Sequence, residues 1–154
     1  MIVRINPKDL SYLDAEKFCC LPYPSHPKGC PNYGKKIGCP PDIFSLKEIL
    51  DLNQNIYLIY TEFNIGEHAE RMRELHPKWT DRQVYCCLYW QPKARKMQKQ
   101  EEEKSKKEKG INLVLTSPEA MGVNLISLMN KIGVRLEWPP RKITRLVSLG
   151  GMSK

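Results

Sequence analysis

The sequence predicts a single α/β domain, in which a small central mixed sheet is flanked by helices and a cysteine- and proline-rich loop lies at one edge. Segments rich in β-branched and aromatic residues alternate with segments that carry helix-capping signals. The chain has 154 residues, of which 41% are hydrophobic and 27% are charged. This length and composition are typical of one domain with its own core.

Strand composition recurs along the chain. The segments that show it are residues 1–5, 55–63, 111–116, 134–138 and 143–149. Residues 55–63 (NIYLIYTEF) lack a clean alternation of apolar and polar side chains. This pattern is typical of a central strand that is covered on both faces.

Helix signals separate these segments. The predicted helices span residues 10–19, 46–52, 65–76, 80–91 and 117–132. Ser45 with Glu48, and Thr80 with Gln83, have the spacing of a capping box. Pro92 is expected to end the helix that starts at Thr80, because proline lacks the N–H that a helix interior needs.

The loop at residues 18–41 (FCCLPYPSHPKGCPNYGKKIGCPP) carries the chemistry of the sequence. It contains Cys19, Cys20, Cys30 and Cys39, six of the twelve prolines and three glycines. Proline and glycine disfavour helices and strands, so a hydrogen-bond ladder is not expected to hold this segment. Cysteine thiolates that bind one metal ion or cluster would hold this segment in place instead. A proline directly after a ligand cysteine, as after Cys30 and Cys39, recurs in iron–sulfur loops.

The cysteine spacing favours an iron–sulfur cluster of the 4Fe–4S type over zinc. Zinc ligands usually pair two to four residues apart. Here nine residues separate Cys20 from Cys30 and eight separate Cys30 from Cys39, which suits ligands that reach a larger group separately. The predicted ligands are Cys20, Cys30 and Cys39, and the candidates for a fourth are Cys19 and Cys86. Three thiolates would leave one iron open to substrate.

Disulfides and unliganded cysteines are the alternatives to a metal. Disulfides need an oxidising compartment, and residues 1–10 (MIVRINPKDL) lack the apolar run of a signal peptide. Structural thiols account for one or two cysteines better than for four in a proline-rich loop. No apolar run approaches the ~20 residues of a membrane helix. We therefore expect a cytoplasmic protein with no membrane partner.

Two motifs resemble a widespread family of predicted metal-binding proteins of archaea and bacteria. CPNYGKKIGCPP, at residues 30–41, resembles its Cys-x-x-Tyr-Gly and Cys-Pro-Pro signature, and residues 117–140 resemble a downstream segment that begins SPEAMGVN. This resemblance implies a metal site that includes Cys30 and Cys39. The chain departs from the family in the LPYPSHPKG insertion after Cys20. It also has a lysine–glutamate run in place of a later ferredoxin-like cysteine group, which implies one metal site.

The net charge of +8 raises the prospect of a nucleic acid or a phosphate-bearing small molecule as partner. Much of this charge lies at residues 93–109, which hold eight basic and four acidic residues. We expect this run to be a solvated helix extension or a flexible insertion with almost nothing to bury. Arg141, Lys142 and Arg145 follow a Pro-Pro turn and are weak candidates for phosphate contacts.

On the helix predicted over residues 80–91, Cys87 lies on the same face as Val84 and Leu88. This position predicts that Cys87 is buried in the core. Adjacent residues on a helix diverge by about 100°, so Cys86 is expected on another face. His68 and His76 are expected at the surface.

Motifs of the common nucleotide-binding and zinc-protease sites are absent from the sequence, and no histidine has an evident partner for acyl transfer. Function is therefore expected from the cysteine loop, and whether the site is catalytic stays open. Three hypotheses remain. The first is an iron–sulfur protein with redox or sulfur-handling chemistry and a redox partner. The second is a basic nucleic-acid- or partner-binding module with a structural zinc site. The third is an interaction protein in which the metal only stabilises the loop. The cysteine spacing favours the first.

Overall fold

The structure, a computed structural model, describes residues 1–22 and 26–154. It is a single α/β domain, as the sequence predicts. The strands, in the order β1-β2-β4-β3 across one sheet, are β1 (Ile2–Ile5), β2 (Ile56–Asn64), β4 (Ile143–Gly151) and β3 (Leu113–Leu115). The helices are α1 (Ala15–Cys20), α2 (Leu46–Ile49), α3 (Ile65–Leu75), α4 (Asp81–Val84), α5 (Cys87–Lys109) and α6 (Leu125–Lys131), with 3-10 turns at Pro7–Asp9 and Pro118–Met121. In the described ranges, every helix is too short or too polar to cross a membrane.

Every neighbouring pair of strands is antiparallel. The expectation of mixed strand directions is therefore wrong. Parallel neighbours need a crossover that carries the chain back to the same end of the sheet. Between β2 and β4 the chain instead joins the sheet once, as β3, which pairs antiparallel with the end of β4.

β2 is the central strand, as its composition predicts, and it pairs with β1 on one side and β4 on the other. Ile56, Leu58 and Tyr60 face a core that contains α2 and α6. Phe63 points to the opposite face and packs against Trp90 of α5, with the ring centroids 5.8 Å apart. The strand therefore alternates between two buried faces, which explains why no polar alternation is visible in its sequence.

The helix predicted over residues 80–91 is two helices. α4 has the predicted Thr80–Gln83 capping box but ends at Val84, and α5 starts at Cys87 and continues through Pro92. An interior proline disfavours a helix by about 3 kcal/mol. Tertiary packing outweighs this term here, because the face of α5 that includes Trp90 is buried against the sheet.

Residues 93–109 form the remainder of α5, and the expectation that they have almost nothing to bury is wrong. Ala94, Gln98, Glu102 and Ser105 are all at least nine-tenths buried. These residues recur at the period of a helix, so they form one stripe. Three of the four are polar, which is why the apolar pattern of the sequence did not show the stripe.

Gln98 joins α5 to both central strands. Its Nε2 donates to the carbonyl of Ile59 and to the hydroxyl of Ser148, each at 3.0 Å. Its Oε1 accepts from the hydroxyl of Thr61 at 2.8 Å. Ser148 in turn donates to Glu102, so each polar group of this buried network has a partner.

The helix predicted over residues 117–132 is also divided. Pro118–Met121 is a 3-10 turn, and α6 starts after Asn124, whose side chain caps it. Gly122 lies between them at φ +86°, and a Cβ there would lie 2.7 Å from the carbonyl oxygen of Leu13. The chain breaks because this glycine makes a close backbone contact that a continuous helix would prevent.

Residues 134–138 were expected to form a strand, and they run near β4 without pairing with it. The Glu137 carboxylate accepts from the backbone N–H of Ile143 at 3.3 Å. The Arg145 guanidinium donates to the carbonyl of Arg135 at 3.2 Å. Side chains thus occupy the space in which the two backbones would form a ladder.

His68 is only 5% exposed, so its expected surface position is wrong. It follows Ile65 by three residues on the buried stripe of α3, and its ring lies 6.2 Å from that of Phe63. His76 is exposed, as expected, and stacks on Trp79 at a centroid distance of 3.9 Å.

We expect Gln98→Ala to lower the free energy of unfolding by about 1–3 kcal/mol, because it removes the side-chain partner of the Thr61 hydroxyl and of the buried Ile59 carbonyl. The measurement is the midpoint of urea unfolding at an unchanged slope. Gln100→Ala, on the exposed side of the same helix, is the matched control and should change stability by less than about 0.5 kcal/mol. Equal losses in the two variants would contradict this role for Gln98.

Stability should also fall at mildly acidic pH because of His68. Burial lowers the pKa of His68, and the positive charges of Arg71 and Lys93 lower it further. The unfolded chain therefore takes up a proton near about pH 6.5 that the folded protein does not, so unfolding becomes easier as the pH drops below that value. We expect His68→Gln to flatten the slope of unfolding free energy against pH between about 7 and 5, and exposed His76→Gln to leave it unchanged. Equal slopes for wild type and His68→Gln would refute the assignment.

Candidate metal centre

Residues 26–41 form a series of tight turns, in agreement with their proline and glycine content. The N–H of Cys39 donates to the carbonyl of Lys36 at 3.0 Å, and the N–H of Gly34 donates to the carbonyl of Pro40 at 2.8 Å. These bonds fold the segment back on itself without any helix or strand.

A backbone contact joins this loop to α1. The N–H of Cys30 donates to the carbonyl of Cys19 at 2.7 Å. Gly29 precedes this contact at φ +85°, and a Cβ there would overlap the same carbonyl oxygen and lie 2.9 Å from the Cα of Cys20. Glycine is needed here both for its conformation and for its size. The contact places Cys30 beside the adjacent pair of cysteines on α1.

The Cys19 thiol is affected by burial and by the other three cysteines of this region. Burial raises the pKa of the Cys19 thiol, and the thiol groups of Cys30, Cys39 and Cys20 raise it further. Like charges disfavour one another over short distances, so these three groups lie close to Cys19. The structure thus places Cys20, Cys30 and Cys39 within electrostatic range of Cys19.

Tyr33 belongs to the same site. Its pKa is raised by burial, by the negative charges of Cys20 and Glu16, and by a side-chain hydrogen bond with Cys20. The sequence showed this residue only as part of the Cys-x-x-Tyr-Gly motif. The structure gives the motif a physical reason, since the tyrosine of the loop reaches a cysteine of α1.

The two motif segments, which are far apart in the sequence, are neighbours in the fold. The N–H of Leu13, just before α1, donates to the carbonyl of Gly122 in SPEAMGVN at 2.6 Å. Pro40 of CPNYGKKIGCPP and Ala120 line the same small cleft. The downstream motif therefore supports the helix and the loop that carry the cysteines.

All six cysteines lie in the described part of the chain, and all are free thiols. Within residues 1–22 and 26–154, no group of three or more histidine, cysteine, aspartate or glutamate side chains stands in an arrangement that would hold a metal ion. The donor set nevertheless fits a thiolate-bound metal. Four neighbouring thiols without a disulfide have the chemistry of both structural zinc sites and iron–sulfur sites.

Cys86 and Cys87 lie at the start of α5. Among the described residues, neither is one of the groups that shift the pKa of Cys19. Cys87 is exposed and Leu88 is 76% exposed, so the prediction of a buried Cys87 is wrong. The break after Val84 is the reason, because it ends the continuous helical phase on which that prediction rested.

The three basic residues suggested for phosphate contacts occupy different environments. The Arg141 guanidinium lies over the ring of Tyr85, 4.2 Å from its centroid, and Lys142 is exposed. The side chain of Arg145 is 15% exposed and pairs with Glu62 at 3.5 Å. Arg145 is thus already engaged within the fold, and a phosphate site on these residues stays a prediction.

The fold and the loop define a class of protein: a single α/β domain in which a loop with two cysteines contacts a short helix with two more. The chain belongs to the predicted metal-binding protein family DUF2284, which it matches over residues 23–151. The matched range contains Cys30 and Cys39 and begins shortly after Cys20. No curated protein and no solved structure matches the chain. The resemblance to a metal-binding family is thereby confirmed.

We expect Gly29→Ala to destabilise the protein much more than Gly38→Ala. Both glycines have positive φ, which disfavours alanine by roughly 1–2 kcal/mol at each position. A Cβ at Gly38 meets nothing within 4 Å, whereas one at Gly29 overlaps α1, which should add roughly 1–3 kcal/mol. Urea unfolding of the two variants checks the difference. Equal destabilisation would show that the loop does not approach α1 so closely.

Proposed function

We propose that the protein binds a 4Fe–4S cluster through the cysteines of α1 and the following loop. The observation that carries the proposal is the backbone contact between Cys30 and Cys19, which places the cysteine loop beside the two cysteines of α1. Membership in a family of predicted metal-binding proteins supports it.

A bound metal accounts for two features of the site. Neighbouring thiolates repel one another, and a metal cation replaces that repulsion with attraction. The loop has only turn bonds to hold it, so metal–thiolate bonds would supply much of its stability. Both arguments apply to zinc as well as to iron.

The choice of iron–sulfur over zinc rests on how the ligands are delivered. Cys19 and Cys20 are adjacent on one short helix, and nine and then eight residues separate Cys20 from Cys30 and Cys30 from Cys39. Ligands from separate segments of the chain suit a cluster, because a cluster is wider than a single ion. A structural zinc site in a basic nucleic-acid- or partner-binding module is the alternative, and four thiolates would also satisfy zinc.

We assign Cys20, Cys30 and Cys39 as ligands and Cys19 as the fourth, in preference to Cys86. Cys19 is electrostatically coupled to the other three, and Cys86 is not among its described partners. A cluster with four thiolates has no open iron, so its chemistry is the exchange of single electrons with a redox partner.

Protein purified without oxygen should be brown and absorb near ~400 nm, with about four irons and four sulfides per chain. A colourless protein that contains about one zinc would support the alternative instead. Metal analysis and the absorption spectrum of the same sample distinguish the two outcomes.

Single substitutions test the ligand assignment. Cys19→Ser, Cys30→Ser and Cys39→Ser should each lose the ~400 nm absorption and lower the melting temperature, because each removes one ligand. Cys87→Ser, at an exposed cysteine outside the cluster, is the matched control and should keep both. A full cluster in Cys19→Ser, together with its loss in Cys86→Ser, would show that the fourth ligand is Cys86.

A further inference from the structure

The exposed face of α5 carries a row of lysines. Its members recur at intervals of three and four residues, so they lie on one face of the helix, opposite the buried stripe. All of them are exposed. We call them the lysine row: Lys93, Lys96, Gln100, Lys104 and Lys107. At 1.5 Å per residue the row is about 21 Å long.

Most acidic side chains of α5 are engaged away from this row. Glu101 pairs with the amine of Met1, Glu102 accepts from the Ser148 hydroxyl, and Glu103 pairs with Lys106. Glu108 lies 4.0 Å from Lys104. Lys93, Lys96 and Lys107 take part in none of the salt bridges among the described residues. The mixed charges of residues 93–109 are therefore sorted by helix face, and the outer face is basic.

Aromatic rings lie at the start of the lysine row. Tyr89 is 54% exposed and precedes Lys93 by four residues, so it lies on the same face of α5. The Tyr89 ring is 5.0 Å from the ring of Trp79, and His76 stacks on Trp79 at 3.9 Å. Trp79 packs against the buried cluster between α3 and α4. The core thus holds these three rings in place, and we call them the aromatic platform.

Positive charge also prevails beside the aromatic platform. Lys78 and Arg82 are exposed, and neither takes part in a salt bridge among the described residues. The carboxylate of Asp81 is held by Arg73 at 2.9 Å. Glu74 is the nearby acidic residue that remains. The rings and the lysine row therefore form one continuous surface of aromatic and basic side chains.

We propose that this surface binds a single-stranded nucleic acid, with bases stacked on the aromatic platform and phosphates along the lysine row. Every base has a π-face, so stacking on protein rings depends little on the base sequence. Lysines that contact phosphates release bound counterions and so favour association. From Tyr89 to Lys107 the surface is about 27 Å long, which suits a site of a few nucleotides. The inference goes beyond the proposed function and is independent of the metal centre.

A duplex and a membrane surface fit these observations less well. The bases of a duplex already stack on one another, so a duplex would use the lysine row and leave the rings without a role. A helix that lies on a membrane has an exposed apolar face beside its basic residues. The outer face of α5 from Lys93 to Lys107 instead consists of lysine and glutamine.

The test uses the full-length protein and fluorescein-labelled strands of about 12 nucleotides, followed by fluorescence anisotropy at about 100 mM salt. The probes are oligothymidine, oligouridine and an abasic strand with the same phosphates. We expect saturable binding of the strands with bases, and binding at least about tenfold weaker for the abasic strand. Tighter binding of oligothymidine or of oligouridine identifies DNA or RNA as the ligand, and either result supports the proposal.

A variant of the aromatic platform tests stacking. Tyr89→Ala should weaken the binding of oligothymidine about tenfold and change that of the abasic strand by less than about twofold. Tyr89→Phe keeps a ring and should bind as the wild type does. Equal losses for the two strands in Tyr89→Ala would refute a stacking role. Tyr89 is exposed, and the unfolding midpoints confirm that the variants are folded.

Variants of the lysine row test the phosphate contacts. The double variant Lys93→Gln and Lys96→Gln should lower the slope of log affinity against log salt by about 1.4, because each contact to a single strand contributes about 0.7. Arg95→Gln with Lys99→Gln makes the same charge change on the side of α5 that lines a cleft with β4, and it is the matched control. Its slope should stay within about 0.3 of the wild-type value. Equal changes in the two double variants would place binding elsewhere on the basic surface.

The remaining outcomes contradict the proposal. Equal affinity for oligothymidine and the abasic strand would show contacts to phosphates alone. Tighter binding of a duplex of the same length would assign the surface to double-stranded nucleic acid. Binding to vesicles of anionic lipid without binding to any strand would assign it to a membrane. No saturable binding to any of these probes would overturn the proposal outright, whatever metal the protein contains.

Discussion

The buried amide of Gln98 is the contact on which the arrangement of sheet and long helix depends. It binds a carbonyl of β2 and a hydroxyl of β4 at the same time, so it sets the position of α5 across the two central strands. A buried hydrogen-bonding group of this kind fixes orientation more sharply than apolar packing does, because each donor and acceptor must meet its partner. Trp90 and Ala94 add apolar contacts on the same face.

This arrangement uses the two faces of the sheet differently. α5 covers one face, while α2, α6 and the segment around Val123 cover the other. The cysteine loop is attached on that second side, through the contact between Leu13 and Gly122. The long charged helix and the cysteine loop nevertheless approach each other, because Lys36 of the loop lines the same cleft as Arg95 and Lys99 of α5.

The cysteine site is held by backbone contacts more than by side-chain packing. Cys30 is anchored to the carbonyl of Cys19, and Gly29 permits the approach because it has no Cβ. Such a site can bring thiols together before any metal is present, which lowers the entropy that metal binding must overcome. Partial exposure of the same cysteines would leave a bound group near the surface, within reach of a partner.

The sequence by itself determined the α/β class, the central strand β2 and the two capping boxes, because each of these follows from local patterns of capping and apolar residues. The tertiary structure determined the features that depend on contacts between segments distant in the sequence. The polar residues on the buried face of α5 need hydrogen-bond partners in β2 and β4. The break after Val84 ends the helical phase that predicted a buried Cys87. The N–H of Cys30 reaches the carbonyl of Cys19 because Gly29 has no Cβ, and a backbone contact of this kind has no signature in cysteine spacing alone.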